Sequence, residues 1–474
     1  MRALRVPTRR EIRDVARLAA PIVLVQVGMM LMGVVDTAIV GHVNEVGLAG
    51  VALGNLFWFF VTTLGQGTIM ALDPIVAQAV GARDHVAIAR GLQRGLILAT
   101  AIACVSSLAL VPAESFFALA RQPAEVRPLA ASYARICIIG QLPFFVFVVL
   151  RQTMQAFSRV RPIVVAVAVA NLANALLDWM LVFGKWGAPR FGPIGSAYAT
   201  VGSRWVMCLV LAWMGRDLFR GYIQPWRRDA FNLTAFRRML RLGVPIGIHQ
   251  WIEATAFSVG LILVGWMGTT AVAAHQITIT LAALTYMVPL GVAAAAAVLV
   301  GHAIGREEPD AARREAGAAL ACGVGFMSVT AIILIALPGA LARSFTSDPG
   351  VIGIALTLIP LAGIFQVFDG IQGVSSGILR GAGDTHVPAL LNLTGYAVGL
   401  PIGGWLAFSR GMGPAGIWWG LVLGLAVVGA ALGWRVHYRL GRELQRIDLD
   451  MPGHGARHHL SDAAPTVVAD TASP

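Results

Sequence analysis

Four acidic residues stand where lipid-facing sequence would be expected. Asp36 lies in "LMGVVDTAIVG" at 31–41, and no other Asp, Glu, Lys or Arg occurs between Arg17 and Glu45. Glu253 is followed by no charged residue until Arg306, Asp369 is alone between Asp348 and Arg380, and Asp178 is alone between Arg161 and Lys185. An ionised side chain at the centre of a membrane helix costs roughly 2.5–3.5 kcal/mol on insertion scales, so such residues mark ion paths, cargo sites or buried partners of arginines. Their neighbours sharpen the chemistry. Asn171, Asn174 and Asp178 recur at helical spacing, His249 and Gln250 precede Glu253 by one turn, and Gln366, Asp369, Gln372 and Ser376 form one stripe. Met29, Met32 and Gly33 share the face of Asp36 and offer soft, polarizable surface beside a charge. A carboxylate lining an apolar cavity can hold a proton, Na⁺ or an organic cation, and competition among these would couple their movements.

The elements that must position these acids are set by composition. Of the 474 residues, 57% are hydrophobic and 13% charged, and the mean hydropathy is +0.73. Such a chain is an all-α polytopic membrane protein, because a lipid-exposed backbone must satisfy its own hydrogen bonds and the segments lack the alternation of barrel strands. Twelve apolar stretches predict twelve transmembrane helices, near 18–41, 48–78, 95–113, 128–150, 163–184, 193–215, 242–266, 270–300, 316–340, 350–378, 387–408 and 414–434. The first lacks a small-residue cleavage site and is predicted to be retained as a helix.

Basic residues predict orientation. With the N-terminus inside, the inner segments collect Arg5, Arg9, Arg10, Arg13, Arg83, Arg90, Arg94, Arg159 and Arg161, and the 216–241 loop adds seven more arginines. This positive-inside bias places both termini in the cytoplasm and the chain in the inner (plasma) membrane. It also accounts for the net charge of +12 without nucleic acid. Cys104, Cys137, Cys208 and Cys322 are scattered singly, suggesting neither a disulfide framework nor a metal site.

The chain repeats itself. "RLAAPIVLVQ" at 17 matches "RLGVPIGIHQ" at 241, and "VAQAVGARD" at 76 matches "VGHAIGREE" at 300, both offset by 224 residues. "GPIGSAYA" at 192 is answered by "GPAGIWWG" at 413. A repeat of this size is a six-helix half, and an even helix number makes the halves parallel, with a site between them near the midplane. The expected organisation is a cytoplasmic N-terminus at 1–14, an N-lobe at 15–219, a linker at 220–240, a C-lobe at 241–437 and a disordered tail at 438–474.

Blander readings apply elsewhere. Asn171, His249 and His275 are equally well explained as helix-to-helix hydrogen bonds, and Asp73 in "LDPIVAQ" reads as local structure near a helix end. Arg135, Arg151 and Arg204 either snorkel or pair with an acid. His454, His458 and His459 read as an incidental polar tract. A membrane-embedded enzyme is disfavoured because no H-E-x-x-H occurs. A lipid-linked oligosaccharide flippase would need cationic residues in its cavity for a pyrophosphate cargo, and the acids here outweigh them.

Taken in order, "AAPIVLVQ", "VVDTAIVGH", "VAQAVGA", "NLANALLD", "VPIGIHQWIE" and "ILRGAGDTHVP" resemble the multidrug and toxic compound extrusion (MATE) family, nearest its bacterial NorM branch, over residues 12–437. The resemblance implies two pseudo-symmetric six-helix lobes in a MATE/MOP-type transporter fold. It implies a monomeric secondary antiporter that exports amphipathic organic cations (drugs, dyes and toxic metabolites) by alternating access. Exchange would be for H⁺ or Na⁺, with no cofactor. By the same resemblance Asp36, Asn174, Asp178 and Thr200 form an N-lobe cation site, with Na⁺ at Asp36 and Asp178 as the one metal contemplated. Glu253 and Asp369, with Gln250 and Gln366 beside them, form the C-lobe site, and Pro21 marks a bend in helix 1. Phe365 stands where the family pattern has a tyrosine one turn before the helix 10 acid, which removes a candidate ligand.

Overall fold

A computed structural model describes residues 5–450. Its twelve membrane-length helices are α1 Arg9–Gly41, α2 Glu45–Gly81, α3 His85–Leu110, α4 Arg127–Ala156, α5 Arg161–Phe183, α6 Gly192–Met214, α7 Leu233–Gly265, α8 Thr269–Gly305, α9 Pro309–Ala336, α10 Pro349–Gly381, α11 His386–Ser409 and α12 Pro414–Gly441. Many begin where the sequence supplies a cap. Thr8 and Glu11 form a capping box on α1, while Asn44, Asp84, Asn232 and Asp348 accept from the first-turn amides of α2, α3, α7 and α10. Pro309, Pro349 and Pro414 occupy first positions, where the missing N–H costs nothing.

Several helices extend beyond their apolar stretches. α1 starts at Arg9 rather than near 18, and α7 starts at Leu233, inside the expected linker. The remaining linker holds a short helix, Arg216–Ile223. A helix that leaves lipid for water keeps its hydrogen bonds but loses its hydropathy signal. α1 runs unbroken through Pro21, whereas α2 is interrupted at Met70–Ala71 and resumes at Leu72. There i→i−3 bonds take over, with Ala71 N donating to Thr68 O and Asp73 N to Met70 O.

α1–α6 and α7–α12 form two lobes that meet through repeat-equivalent helices. α1 packs on α8, and α7 packs on α2. Since α7 and α8 are the repeats of α1 and α2, these are one contact made twice, as a pseudo-two-fold axis along the membrane normal requires. The backbones approach closely there. A Cβ on Gly305 would stand 2.1 Å from Gln78 O, and one on Gly243 would stand 2.1 Å from Thr68 O, so only glycine fits. Twelve crossings bring both ends of the bundle to one face, called here the terminal face.

Hydrogen bonds and ion pairs between the lobes concentrate toward that face. Gln78 Nε2 donates to Gly381 O at 2.9 Å, His302 Nε2 donates to Ala156 O at 2.7 Å, and Arg380 Nε lies 3.0 Å from Asp73 Oδ2. The segment after α12 adds a clasp. Arg446 reaches Asp84 at 2.7 Å, Ile447 N donates to Gln78 Oε1 at 2.7 Å, and Asp450 takes Arg94 at 2.6 Å and Arg90 at 3.1 Å. The expectation of disorder from residue 438 is corrected for 438–450: α12 continues to Gly441, and 442–450 binds the other lobe through charges that composition alone cannot assign to partners. His454, His458 and His459 lie outside the described residues.

Candidate functional site

The N-lobe constellation is assembled from α1, α5 and α6. Asp36 is 7% exposed, and Asn174 and Asp178 are fully buried. The Asp36 and Asp178 carboxyl groups face each other within hydrogen-bond reach, which two bare carboxylates would not tolerate without a proton or metal cation between them. Asp36 Oδ1, both Asp178 oxygens, both Asn174 amide atoms and Ser196 Oγ are buried without protein partners. Clustered orphan acceptors of this kind fit a small cation or water.

Thr200 Oγ1 lies 2.9 Å from Asp36 Oδ2 and 2.8 Å from Ser196 O. A hydroxyl has one hydrogen. When Thr200 donates to Asp36 Oδ2, it can serve the ionised acid; when it donates to Ser196 O, it can accept from a protonated Asp36. Rotation of one hydroxyl therefore serves both states of the acid. Asn171, by contrast, donates to Val167 O at 2.9 Å and has a local structural bond. Met32 lines the same face, with Ser203 Oγ 3.6 Å from its sulfur. Gly33 has open space where a side chain would be.

The C-lobe brings together Glu253 of α7 and Asp369 of α10, close enough that each acts on the other's charge. Asp369 is 4% exposed, and its Oδ1 has no partner. His249 Nε2 is 4.0 Å from Glu253 Oε2, while Gln372 Nε2 lies 3.1 Å from the same His249 nitrogen and donates to Asn392 Oδ1 at 2.9 Å. An Nε2 that accepts from Gln372 carries no proton, so His249 stands beside Glu253 as a neutral ring.

Two expected neighbours are placed elsewhere. Gln366 Oε1 accepts from Thr285 at 2.8 Å, and its Nε2 donates to Thr330 at 2.8 Å. That amide staples α8, α9 and α10 together and is not a free ligand. Gln250 Nε2 points across the lobe boundary to Met70 Sδ at 3.2 Å. His275 is structural too, its Nδ1 accepting from Trp418 Nε1 at 3.2 Å.

Some of the surroundings were not anticipated. Phe365 packs edge-on against Trp418 with ring centroids 5.6 Å apart. The phenols near the acids come instead from Tyr286 on α8 and Tyr396 on α11, both within electrostatic range of Glu253 and Asp369. Tyr396 Oη is buried without a partner. Each lies on the span that follows that of one acid, not on the acid's own helix, so helical spacing gave no signal. Arg204, one turn after Thr200, lies flat over the Trp58 ring at 3.6 Å, and Arg135 pairs with Glu114 at 3.2 Å. Asp73 is more than local structure: it is 3% exposed and bound to Arg380 of the other lobe.

Two pseudo-symmetric helical lobes with a buried acid cluster in each, closed at one face, are the architecture of a secondary transporter rather than an enzyme. The MatE family model matches residues 21–180 and 245–405, one match in each lobe. The chain is 35% identical over 436 residues to the multidrug resistance protein NorM of Burkholderia vietnamiensis, covering 90% of this chain and 94% of that one. It is 32% identical over 436 residues to the multidrug resistance protein MdtK of Proteus mirabilis, covering 90% and 95%. The fold matches the eukaryotic MATE transporter AtDTX14 with a TM-score of 0.82 at 22% identity, over 91% of this chain and 98% of that one. It also matches an outward-facing multidrug resistance MATE transporter of the MOP superfamily with a TM-score of 0.83 at 19% identity, over 91% and 96%. The chain belongs to the MatE family, as a bacterial NorM-like transporter of the inner membrane.

Proposed function

We propose that this transporter is an antiporter that exports amphipathic organic cations in exchange for H⁺ or Na⁺. Asp36, Asp178, Asn174 and Thr200 take the coupling ion in the N-lobe, and Glu253 and Asp369 supply negative charge for ion or cargo in the C-lobe. The observation that carries this reading is the buried Asp36–Asp178 pair, with three of its carboxyl oxygens unpartnered and the fourth, Asp36 Oδ2, on a Thr200 hydroxyl able to serve either protonation state. Both termini are cytoplasmic by the arginine distribution, so the terminal face is the cytoplasmic one and the lobes meet in an outward-facing arrangement. Transport then requires the cytoplasmic contacts to open while the outer ends close, with ion and cargo favouring different states. The protein works as a monomer, since each chain carries both lobes. Counterflow of a fluorescent cation in proteoliposomes, with ΔpH and ΔNa⁺ imposed separately, tests the proposal. Uptake driven by one gradient supports it, and indifference to both overturns it.

A further inference from the structure

Three buried charges near the cytoplasmic face, Asp73, Arg380 and Arg151, lie outside the Asp36–Asp178 and Glu253–Asp369 pairs. Asp73 sits in the first turn of the resumed half of α2, and Arg380 sits at the end of α10. Their contact at 3.0 Å crosses the lobe boundary, with side-chain exposures of 4% and 11%. Arg151 lies on α4, in the same lobe as Asp73 and packed against that half of α2. It is 5% exposed and within electrostatic range of both other charges. Its Nε has no partner, and its Nη1 finds only the Met29 sulfur at 3.5 Å. Two guanidiniums therefore share one carboxylate: Arg380 is in ion-pair contact with it, although its Nε makes no hydrogen bond, and Arg151 is buried with its hydrogen-bonding capacity largely unspent.

A static bundle gains nothing from that arrangement, because a buried arginine without an acid is costly. A bundle whose lobes separate needs it. When the cytoplasmic ends part, Arg380 leaves with the C-lobe and enters the water of the opening cleft. Asp73 stays in the N-lobe and would be stranded as a buried, unpaired carboxylate unless another cation replaced the first. Among the described residues, Arg151 is the only other arginine acting on it electrostatically. We propose that Asp73 exchanges partners during transport, held by Arg380 when the cytoplasmic face is closed and by Arg151 when it is open. Arg151 is thus a positioning residue for the conformational step. Also near Arg380 are His249 of α7 and Tyr286 of α8, so Arg380 belongs to the C-lobe environment before and after the exchange.

The inference rests on the alternating-access reading, and its test separates the two. Spin labels at Arg159→Cys and Pro309→Cys, exposed sites on opposite lobes, would report opening in a background lacking the four native cysteines. Purified protein is measured with a fluorescent organic cation, at neutral and acidic pH and with Na⁺, alongside turnover in proteoliposomes. Arg380→Gln should enrich the open distance. Arg151→Met should deplete it and slow turnover about tenfold with little change in KM, since opening now strands Asp73. Arg151→Lys should restore most of both, and Asp73→Asn on top of Arg151→Met should relieve the block by removing the stranded charge. An Arg151→Met protein that is folded, opens and turns over like the parent overturns the exchange. A parent protein with one unchanged distance under every condition overturns alternating access itself.

Discussion

Replacing Asp36 by Asn is the most direct challenge to the N-lobe assignment, because it keeps volume and hydrogen bonding while removing ionisation. The Thr200 hydroxyl, 2.9 Å from Asp36 Oδ2, can still donate to an amide oxygen, and no charge remains at that position to insert into lipid. Folding should therefore hold or improve. The loss falls on the ion. A carboxylate about 4 Å from a monovalent cation contributes roughly 4 kcal/mol at an effective dielectric near 20, about a thousandfold in affinity. Part of that is offset because the lone Asp178 no longer faces a second negative charge, so a fall of about one to three orders of magnitude is expected. The assay is gradient-driven export of a fluorescent cation, with equilibrium dye binding and thermal stability measured on the same preparation. Asp36→Asn should retain dye binding and stability and lose the response to ΔpH or ΔNa⁺. Parent-like gradient-driven export by a stable Asp36→Asn protein would refute the assignment. Thr200→Val should be milder, weakening the response about fivefold, the value of one hydrogen bond near 1 kcal/mol.

Neutralising Glu253 and Asp369 together should weaken binding of a lipophilic cation more than that of a neutral analogue of the same shape; equal losses in titrations of the two would assign these acids to folding. Tyr396→Phe, which deletes a buried hydroxyl without a partner, should leave thermal stability unchanged and alter cation binding, whereas a stability loss of about 1 kcal/mol or more would mean the hydroxyl bonds within the fold. Arg446→Ala with Asp450→Ala removes three clasp ion pairs, to Asp84, Arg94 and Arg90, worth at least roughly 0.2 kcal/mol each, so the population at the open cytoplasmic distance should rise about threefold or more, and an unchanged distribution would show the clasp to be incidental. Burial alone would push Asp84 up, but the Ala87 amide and Arg446 outweigh it and hold the carboxyl below its ordinary value. A depressed acid stabilises above its unfolded pKa, near 3.9, and loses that contribution only as pH falls through the lower folded value. The Asp84 clasp should thus persist from neutral pH to about 4, and a distance change at pH 6 that Asp84→Asn abolishes would contradict this.

Hydropathy located every membrane span because lipid acts on each helix locally and leaves its record in consecutive residues. The repeat reached further: matching Gly81 to Gly305 already paired the two helix ends that pack backbone to backbone. What escaped was whatever depends on a partner in a distant span. Gln366 lies on the same stripe as Asp369, yet Thr285 and Thr330 claim its amide. Asp73 carries a local helix-start signal in Asp-Pro, and that signal is genuine, but its ion pair comes from a residue 307 positions away in Arg380. Tyr286 and Tyr396 reach the C-lobe acids from spans whose own sequence gives no reason to look there.

The placement of charge along the membrane normal ties these observations into one mechanism. On the proposed orientation the Asp36–Asp178 pair lies toward the outer ends of α1 and α5 and Glu253 and Asp369 lie near the middle of α7 and α10, while Asp73, Arg380, Arg94 and Arg446 close the cytoplasmic side. An ion entering from outside meets the Asp36–Asp178 pair without breaking any of the polar contacts between the lobes described above. Those contacts must yield before anything held at the acids can reach the cytoplasm. Binding at the N-lobe can influence the seal through α1, which carries Asp36 near one end and packs on α8, and whose Met29 touches Arg151. Arg151 is also the cation placed to receive Asp73. The proposed ion site and the proposed cytoplasmic seal are thus joined by one helix and one arginine, so that neutralising Asp36 and removing Arg151 should impair the same transition from opposite ends. If the two act in one step, the double variant should lose little more turnover than the worse of the singles; fully multiplicative losses would show that they act independently.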